Sequence, residues 1–393
     1  MDDRTRCQSC GAESVAAFYH AKNVPVHSCL LLSSRDEALR FPRRDIRLGF
    51  CASCGFIENV IFDPHMMRYS LGYEEQQSFS PRFNAFARDL ATRLVSRYSL
   101  QNKEVIEIGC GKGDFLALLC EMGCHRGFGI DPSYVPDRLK SPGADRITFI
   151  RDFYSERYSD LCGDLICCRH TLEHIHDPRE FVGTVKRTVG NRAKTVVFFE
   201  VPDILRVLLE TAFWDIYYEH CSYFSLGSLA RLFRSCGFEI LDLAKDFDGQ
   251  YLLVEAQPAN GAARRLHPAE NDLDQVMEAV RYFAKNYQAK LDEWNAYVDR
   301  IQRDGRQAVI WGSSSKCVSF VTSLNIRDEI EFVVDINPHR QGKFLPGNGQ
   351  KIVPPEFLKD YRPDAVILMN PVYATEVQAQ LARMGLNPEV VAV

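Results

Sequence analysis

The stretch VIEIGCGKGDFLALLCEMG, residues 105–123, constrains the chain more than any other. A short apolar run passes through a turn with glycine at 109, 111 and 113 into a helical pattern, with no spacer between them. Glycine tolerates positive φ and lets backbone approach a ligand closely, so this strand–turn–helix unit predicts a nucleotide-type site beyond the strand's carboxyl end. The spacing is G-x-G-x-G with an acid, Glu107, two residues ahead, and not the G-x-G-x-x-G of dinucleotide loops. Further strands read from HRGFGIDPS, RITFIRDFY, GDLICCRHTLEHI, KTVVFFEVP, FEILDLAKDF and QYLLVEAQ, with helical segments between several of them. That alternation predicts an α/β class, a Rossmann-like core on a mainly parallel sheet.

The rest of the 393 residues is organised around this core. Residues 1–75 carry C-x-x-C knuckles at Cys7/Cys10 and Cys51/Cys54, each followed by glycine. Four thiolates in two tight turns predict a small zinc-binding domain with a closed, structural site; two unrelated pairs or a redox motif are the bland alternatives. Cys29, between the knuckles, is a spare or rival ligand. Residues 76–260 hold the core, with QQSFSPRFNAFARDLATRLVSRYSL as a lead-in helix. From 261 to 393 a long helix carries Val276, Val280, Phe283, Tyr287 and Leu291 at steps of three or four, and a second strand–turn–helix unit follows at VIWGSSSKCVSF. The net charge of −5 gives no reason to expect nucleic acid, and no run is long and apolar enough for a membrane span. The N-terminus has no apolar core of a signal peptide, so a cytoplasmic protein is expected.

Candidate ligand contacts cluster at the strand ends. Asp131, in GIDPS with Pro132 beside it, is placed to meet ribose hydroxyls. Asp152 and Phe153 end the third strand, and Arg169 and His170 open RHTLEHI at the end of the fourth. On these residues the chain resembles the class I S-adenosylmethionine-dependent methyltransferases. The resemblance implies that Glu107, Gly109, Cys110, Gly111 and Gly113 cradle the methionine part of S-adenosyl-L-methionine, that Asp131 binds its ribose, and that Asp152–Phe153 face its adenine. The four-cysteine domain, the core and the C-terminal unit together look like the bacterial sugar C-methyltransferases that act on nucleotide-linked keto-deoxysugars. That family's insert after the fifth strand contains Tyr-x-Glu-His before an aromatic strand; here it reads YYEHCSYFS, which places Tyr217, Glu219 and His220 on the matching positions.

Forming a carbon–carbon bond from a sulfonium donor requires a carbanion, which a base generates beside a ketone once the enolate oxygen is stabilised. His220 suits the base, Glu219 would orient its ring or raise its basicity, and Tyr217 would donate to the enolate, although Tyr218 and Tyr223 offer the same hydroxyl. His174 is a candidate helper, with a wall role as its rival. A hydrogen-bonded Glu219–His220 pair closing a lid is the corresponding bland reading. The family's Gly-Gly-Ser-x-Arg run is replaced by DGQYLLVEA, without the arginine, so Asp248, Gln250 and Tyr251 become the expected substrate contacts. The competing functions are an O- or N-methyltransferase on a sugar or other natural product, a nicotinamide enzyme, and a binding protein with a vestigial donor site. The C-terminal unit keeps only Gly312 of a dinucleotide fingerprint; Ser313–Lys316 at a helix start is a possible phosphate contact, and a purely structural role competes with it.

Overall fold

The computed structural model describes residues 6–67, 69, 72–259, 261 and 266–393. Strands β1 (Val15–Pro25), β2 (Arg43–Cys51) and β3 (Ile57–Asn59) form an antiparallel meander. The two knuckles sit at its end, because Cys51 closes β2 and Gly55 turns the chain back with its N–H on the Cys51 carbonyl, 2.9 Å away.

Strands β4 (Glu104–Ile108), β5 (Arg126–Ile130), β6 (Ile147–Ile150), β7 (Leu165–Arg169) and β8 (Val196–Pro202) are parallel. The central strands are apolar at most positions because helices cover both faces; β7 is buried at every position. After β8 the chain leaves the sheet as an insert whose strand β9 (Ser222–Tyr223) pairs with β3 and completes the N-terminal sheet. It then returns as β10 (Phe238–Asp246) and β11 (Tyr251–Pro258), the latter antiparallel to both neighbours. The order β10-β11-β8-β7-β4-β5-β6 reverses between β4 and β7, which opens a crevice at the carboxyl ends of those two strands. This is the class I Rossmann-like arrangement.

The lead-in helix spans Pro81–Arg97, begun by Ser80, whose hydroxyl accepts the Phe83 N–H, and by proline at its first position. The long helix spans Leu273–Arg303; Val276, Val280 and Phe283 are buried, and Tyr287 and Leu291 pack against the same core. It leads into a parallel sheet of β12 (Ala308–Trp311), β13 (Phe332–Val334), β14 (Lys351–Val353), β15 (Ala365–Leu368) and β16 (Glu389–Ala392), ordered β14-β13-β12-β15-β16. One apolar cluster joins Tyr19 and Phe283, and Trp214 of the insert, Trp294 and Phe320. The insert is thereby clamped between the first sheet, the long helix and the third sheet. Among the described residues, no helix is long and apolar enough to cross a membrane.

Candidate active site

A cleft of about 550 Å³ lies over the carboxyl ends of the central strands, between the core, the insert and the third sheet. Its floor is the glycine loop. Gly109 and Gly111 have φ of 69° and 54°, and a Cβ on Gly109 would stand 1.9 Å from Thr171 Oγ1. Only glycine fits there. Glu107, at the end of β4, is 3% exposed; its Oε2 has no hydrogen-bond partner, and burial raises its pKa to about 8. Asp131 caps the loop, with Oδ2 accepting the Gly111 N–H at 2.8 Å and Oδ1 accepting Ser133 N–H and Oγ–H. Pro132, Cys110, Asp152 and Phe153 line the same wall. Asp152 accepts from Tyr158 Oη at 2.5 Å and from Arg157, while Phe153 is 62% exposed at the mouth. Gly113 does not reach the cleft; it starts the helix Asp114–Glu121 and packs on Phe149.

Arg169 and His170 both line the cleft and both lean on Glu200 of β8. Arg169 spans the two Glu200 oxygens at 3.1 and 3.0 Å, and His170 Nε2 lies 2.6 Å from Oε1. Burial alone would lower the His170 pKa, but Glu200 and Glu173 outweigh it and raise the value to about 9. His170 is thus an imidazolium at neutral pH.

The insert departs from the sequence expectation at Glu219. Residues 217–220 form a turn in which the His220 N–H meets the Tyr217 carbonyl at 3.2 Å. A turn brings positions i and i+3 together and sends i+2 elsewhere. Tyr217 Oη therefore meets His220 Nε2 at 3.0 Å, while the fully buried Glu219 carboxylate points away and accepts from His27 Nδ1 and Ser28 N–H, each at 2.9 Å. Glu219 does not line the cleft and does not orient the His220 ring. It fastens the insert to the loop that follows β1. Its backbone carbonyl still serves the site: His174 Nδ1 lies 3.1 Å from it and 3.0 Å from Tyr69 Oη. A carbonyl only accepts, so His174 carries its hydrogen on Nδ1. The His174 and His220 rings meet edge to face at 4.8 Å. Desolvation first, then the His174, His170 and Lys316 charges, hold His220 well below its ordinary pKa. The other tyrosines are engaged elsewhere, Tyr218 with the Asp63 N–H at 3.0 Å and Tyr223 with the Tyr217 carbonyl.

The third sheet supplies the facing wall. Lys316, on the helix Ser315–Ser323, reaches Asp215 Oδ1 at 3.0 Å and Gln250 Oε1 at 3.4 Å. Gln250 and Asn370 exchange hydrogen bonds at 2.9 and 3.1 Å, and Tyr251 stacks on Phe247 with its ring 4.4 Å from His170. Gln250 and Tyr251 line the cleft; Asp248 does not, being exposed and paired with Arg82. A carboxylate on a left-handed turn after β10 projects to solvent, away from the cleft where a substrate contact was expected. Cys29 also belongs to the cleft, 3.5 Å from Ser315 Oγ, and not to the knuckles. Residues 73–80 strap the cleft; the lead-in helix expected from Gln76 begins only at Pro81, and residues 76–80 run as an irregular segment ahead of it. Glu75 lies on the glycine loop, Gln76 Nε2 meets Asp114 at 2.8 Å, and Ser80 Oγ donates to Glu376 at 2.8 Å. Nothing periodic marks it; the acidic pair in GYEEQQ was its one visible signal.

Remote from the cleft, Cys7, Cys10, Cys51 and Cys54 gather with their sulfurs within 4.8 Å of one another. Cys7–Cys54 and Cys10–Cys51 stand 3.6 and 3.7 Å apart. A tetrahedron with Zn–S of about 2.3 Å has edges of about 3.8 Å, so the spacing is compatible with a metal.

Two family models match the chain. One, described as a methyltransferase domain, covers residues 82–243, and the other, a C-methyltransferase C-terminal domain, covers residues 254–387. The C-methyltransferase NovU of Streptomyces niveus is 29% identical over 308 residues, 74% of this chain and 72% of its own length. Magnesium protoporphyrin IX methyltransferase from Synechocystis aligns over 45% of this chain and 84% of its own, at 15% identity and TM-score 0.34. The 1,6-didemethyltoxoflavin-N1-methyltransferase of Burkholderia thailandensis covers 44% and 79%, at 17% identity and TM-score 0.32. With one model on the glycine-loop core and the other on the domain that walls its cleft, the chain is a class I S-adenosylmethionine-dependent C-methyltransferase.

Proposed function

We propose that the enzyme methylates the carbon beside the ketone of a nucleotide-linked keto-deoxysugar, with His220 as the base that makes the enolate. The glycine loop fits the donor: a Cβ would fill the cradle at Gly109, and the orphaned Glu107 oxygen lacks a partner that a ligand hydroxyl would supply. On this reading Glu107, Gly109, Cys110 and Gly111 hold the methionine part, Asp131 and Pro132 the ribose, and Asp152 and Phe153 the adenine. Gly113 acts indirectly, by setting the helix start, and Arg169 and His170 form the wall between donor and acceptor. When bound, S-adenosylmethionine supplies an electrophilic methyl group on sulfonium sulfur.

The observation that carries the reading is the Tyr217–His220–His174 cluster in a buried corner of the cleft. A histidine held well below its ordinary pKa is a neutral imidazole at working pH, and its Nε2 lone pair, which meets the Tyr217 hydroxyl at 3.0 Å, serves proton abstraction once that hydroxyl turns to the acceptor's oxygen. Its Nε2 takes the acceptor's α-proton, and the electrons of that C–H bond pass into the enolate. Burial keeps Tyr217 protonated, its pKa raised well above the phenol value, so its hydroxyl donates to the enolate oxygen. The imidazolium and the enolate then form as an ion pair, which offsets the cost of charging His220 in so dry a place. Gln250 and Tyr251, with Lys316 behind them, would contact the acceptor.

The four N-terminal thiolates would hold a structural zinc ion and leave it no open position for chemistry; a reducing, cytoplasmic compartment suits such a site. His220→Ala is expected to abolish turnover with a nucleotide-linked keto-deoxysugar while donor affinity, measured by calorimetry, stays within about threefold. Near wild-type turnover by that variant would sink the base assignment. Methylation found on oxygen or nitrogen of the product would sink the enolate.

A further inference from the structure

The donor end of the cleft has more acid than its expected ligand contacts use. Glu75, Glu107, Asp114 and Asp131 all line it around the glycine loop, against Lys112 and Arg169. Arg169 is taken by Glu200. Asp131 is taken by the Gly111 N–H and by Ser133, and Asp114 by Gln76. Lys112 is fully buried beneath the loop, where its ammonium donates to the backbone carbonyls of Tyr73 and Ser133 and to Glu75 at 3.2 Å.

Glu75 differs from the rest. It comes from the strap, 36 positions before Gly111 in the chain, yet its Oε1 lies 2.6 Å from where a Gly111 Cβ would stand. Its carboxylate rests on the bare backbone of the loop, held from below by Lys112 while its own side chain stays 32% exposed on the cleft side. A carboxylate with one cation beneath it and an open, poorly hydrated face is a receptor for a second cation. Desolvation, only partly offset by Lys112, raises its pKa to about 7, as expected of an acid that lacks a sufficient counter-charge.

We propose that Glu75 binds the α-ammonium of the donor's methionine part, so that the strap closing the cleft also reads the donor. The proposal rests on the glycine loop being the donor cradle. The ammonium is the donor group of matching charge that can lie along such a loop; a ribose contact is already provided for at Asp131. Because the strap also holds the third sheet through Ser80–Glu376 and Asn337–Glu74, donor binding through Glu75 would stiffen both walls of the cleft.

The test compares S-adenosylhomocysteine with its analogue lacking the α-amino group, by calorimetry on the full chain. The wild type is expected to bind the amino-bearing ligand roughly tenfold more tightly, and Glu75→Gln to bind the two within about twofold of each other. Glu75→Asp, which keeps a counter-charge for Lys112 but shortens the reach, should discriminate to an intermediate degree. Discrimination retained by Glu75→Gln, including a variant that loses affinity for both ligands equally, overturns the proposal. So does a wild type indifferent to the amino group. A wild type that binds neither nucleoside overturns the donor cradle itself and the proposal with it.

Discussion

Removing the Glu219 carboxylate should unfold the enzyme more readily while leaving the electrostatics of His220 almost untouched. Glu219 is wholly buried and accepts two hydrogen bonds of 2.9 Å, one from His27 and one from the Ser28 amide. Burial opposes its ionisation, yet the His27 and Ser28 hydrogen bonds and the nearby imidazoles hold its pKa below the usual carboxylate range. A buried donor deprived of its acceptor costs about 1–3 kcal/mol, and Glu219 serves two, the His27 ring N–H and the Ser28 N–H, so their joint loss costs about 2–6 kcal/mol. Glu219→Ala should lose about that much, and Glu219→Gln about 1–3 kcal/mol, since an amide oxygen can still serve the Ser28 N–H. The double variant His27→Leu, Glu219→Leu should be milder than the sum of its parts by about 2 kcal/mol, for it removes both members of the side-chain pair and deprives the Ser28 N–H of its acceptor once, not twice. Urea unfolding monitored by the buried tryptophans reads these variants, and the two single leucine variants, beside the wild type. Losses below about 0.5 kcal/mol for Glu219→Ala would refute the anchor. A large change in the His220 titration in Glu219→Gln, followed by imidazole NMR, would restore the pairing suggested by their adjacency in sequence.

Other outcomes follow from the same geometry. Because His220 stays neutral, kcat should not fall between pH 8 and pH 6 through its titration; an inflection near 6.5 matched by a His220 imidazole titration at the same pH, followed by NMR, would contradict this. Glu107, with its pKa raised to about 8, binds more protons folded than unfolded between roughly pH 4.3 and 8. Its contribution to stability is therefore full below that window and lost as pH rises through it, so thermal melts of Glu107→Gln should show a flatter decline than the wild type. Gly109→Ala places a Cβ 1.9 Å from Thr171 Oγ1 and should cost the enzyme its donor affinity, read by calorimetry. Cys7→Ser should release zinc, measured by a colorimetric chelator, and lower the melting temperature; full metal retention would count against the four-thiolate set.

What the sequence made legible was local. The loop from Glu107 to Gly113, the acid at Asp131 and the apolar face of the long helix each declare themselves within a few residues, because periodicity and turn chemistry are short-range properties. The site's other half depends on contacts that no spacing encodes. Glu219 and His27 are 192 positions apart, and Asn337 meets Glu74 across 263. The Glu219–His220 reading failed because adjacency in a chain does not make neighbours of side chains: a single turn hands His220 to Tyr217 and Glu219 to the loop that follows β1. Asp248 failed for a similar reason, its turn carrying the side chain out to Arg82 while Gln250 and Tyr251, two and three residues on, face inward. Glu75 stood in the sequence only as half of an acidic pair, because a strap has no periodicity and its meaning lies in the backbone it covers.

The central claim is that His220 makes a carbanion within reach of the donor loop. Its most direct measurement is deuterium uptake at the acceptor's α-carbon in heavy water, with S-adenosylhomocysteine filling the donor site so that no methyl can be transferred. The wild type should wash deuterium into that carbon and His220→Asn should not. Exchange by the variant at the wild-type rate, or none by a wild type that goes on to methylate the same carbon, would contradict the account.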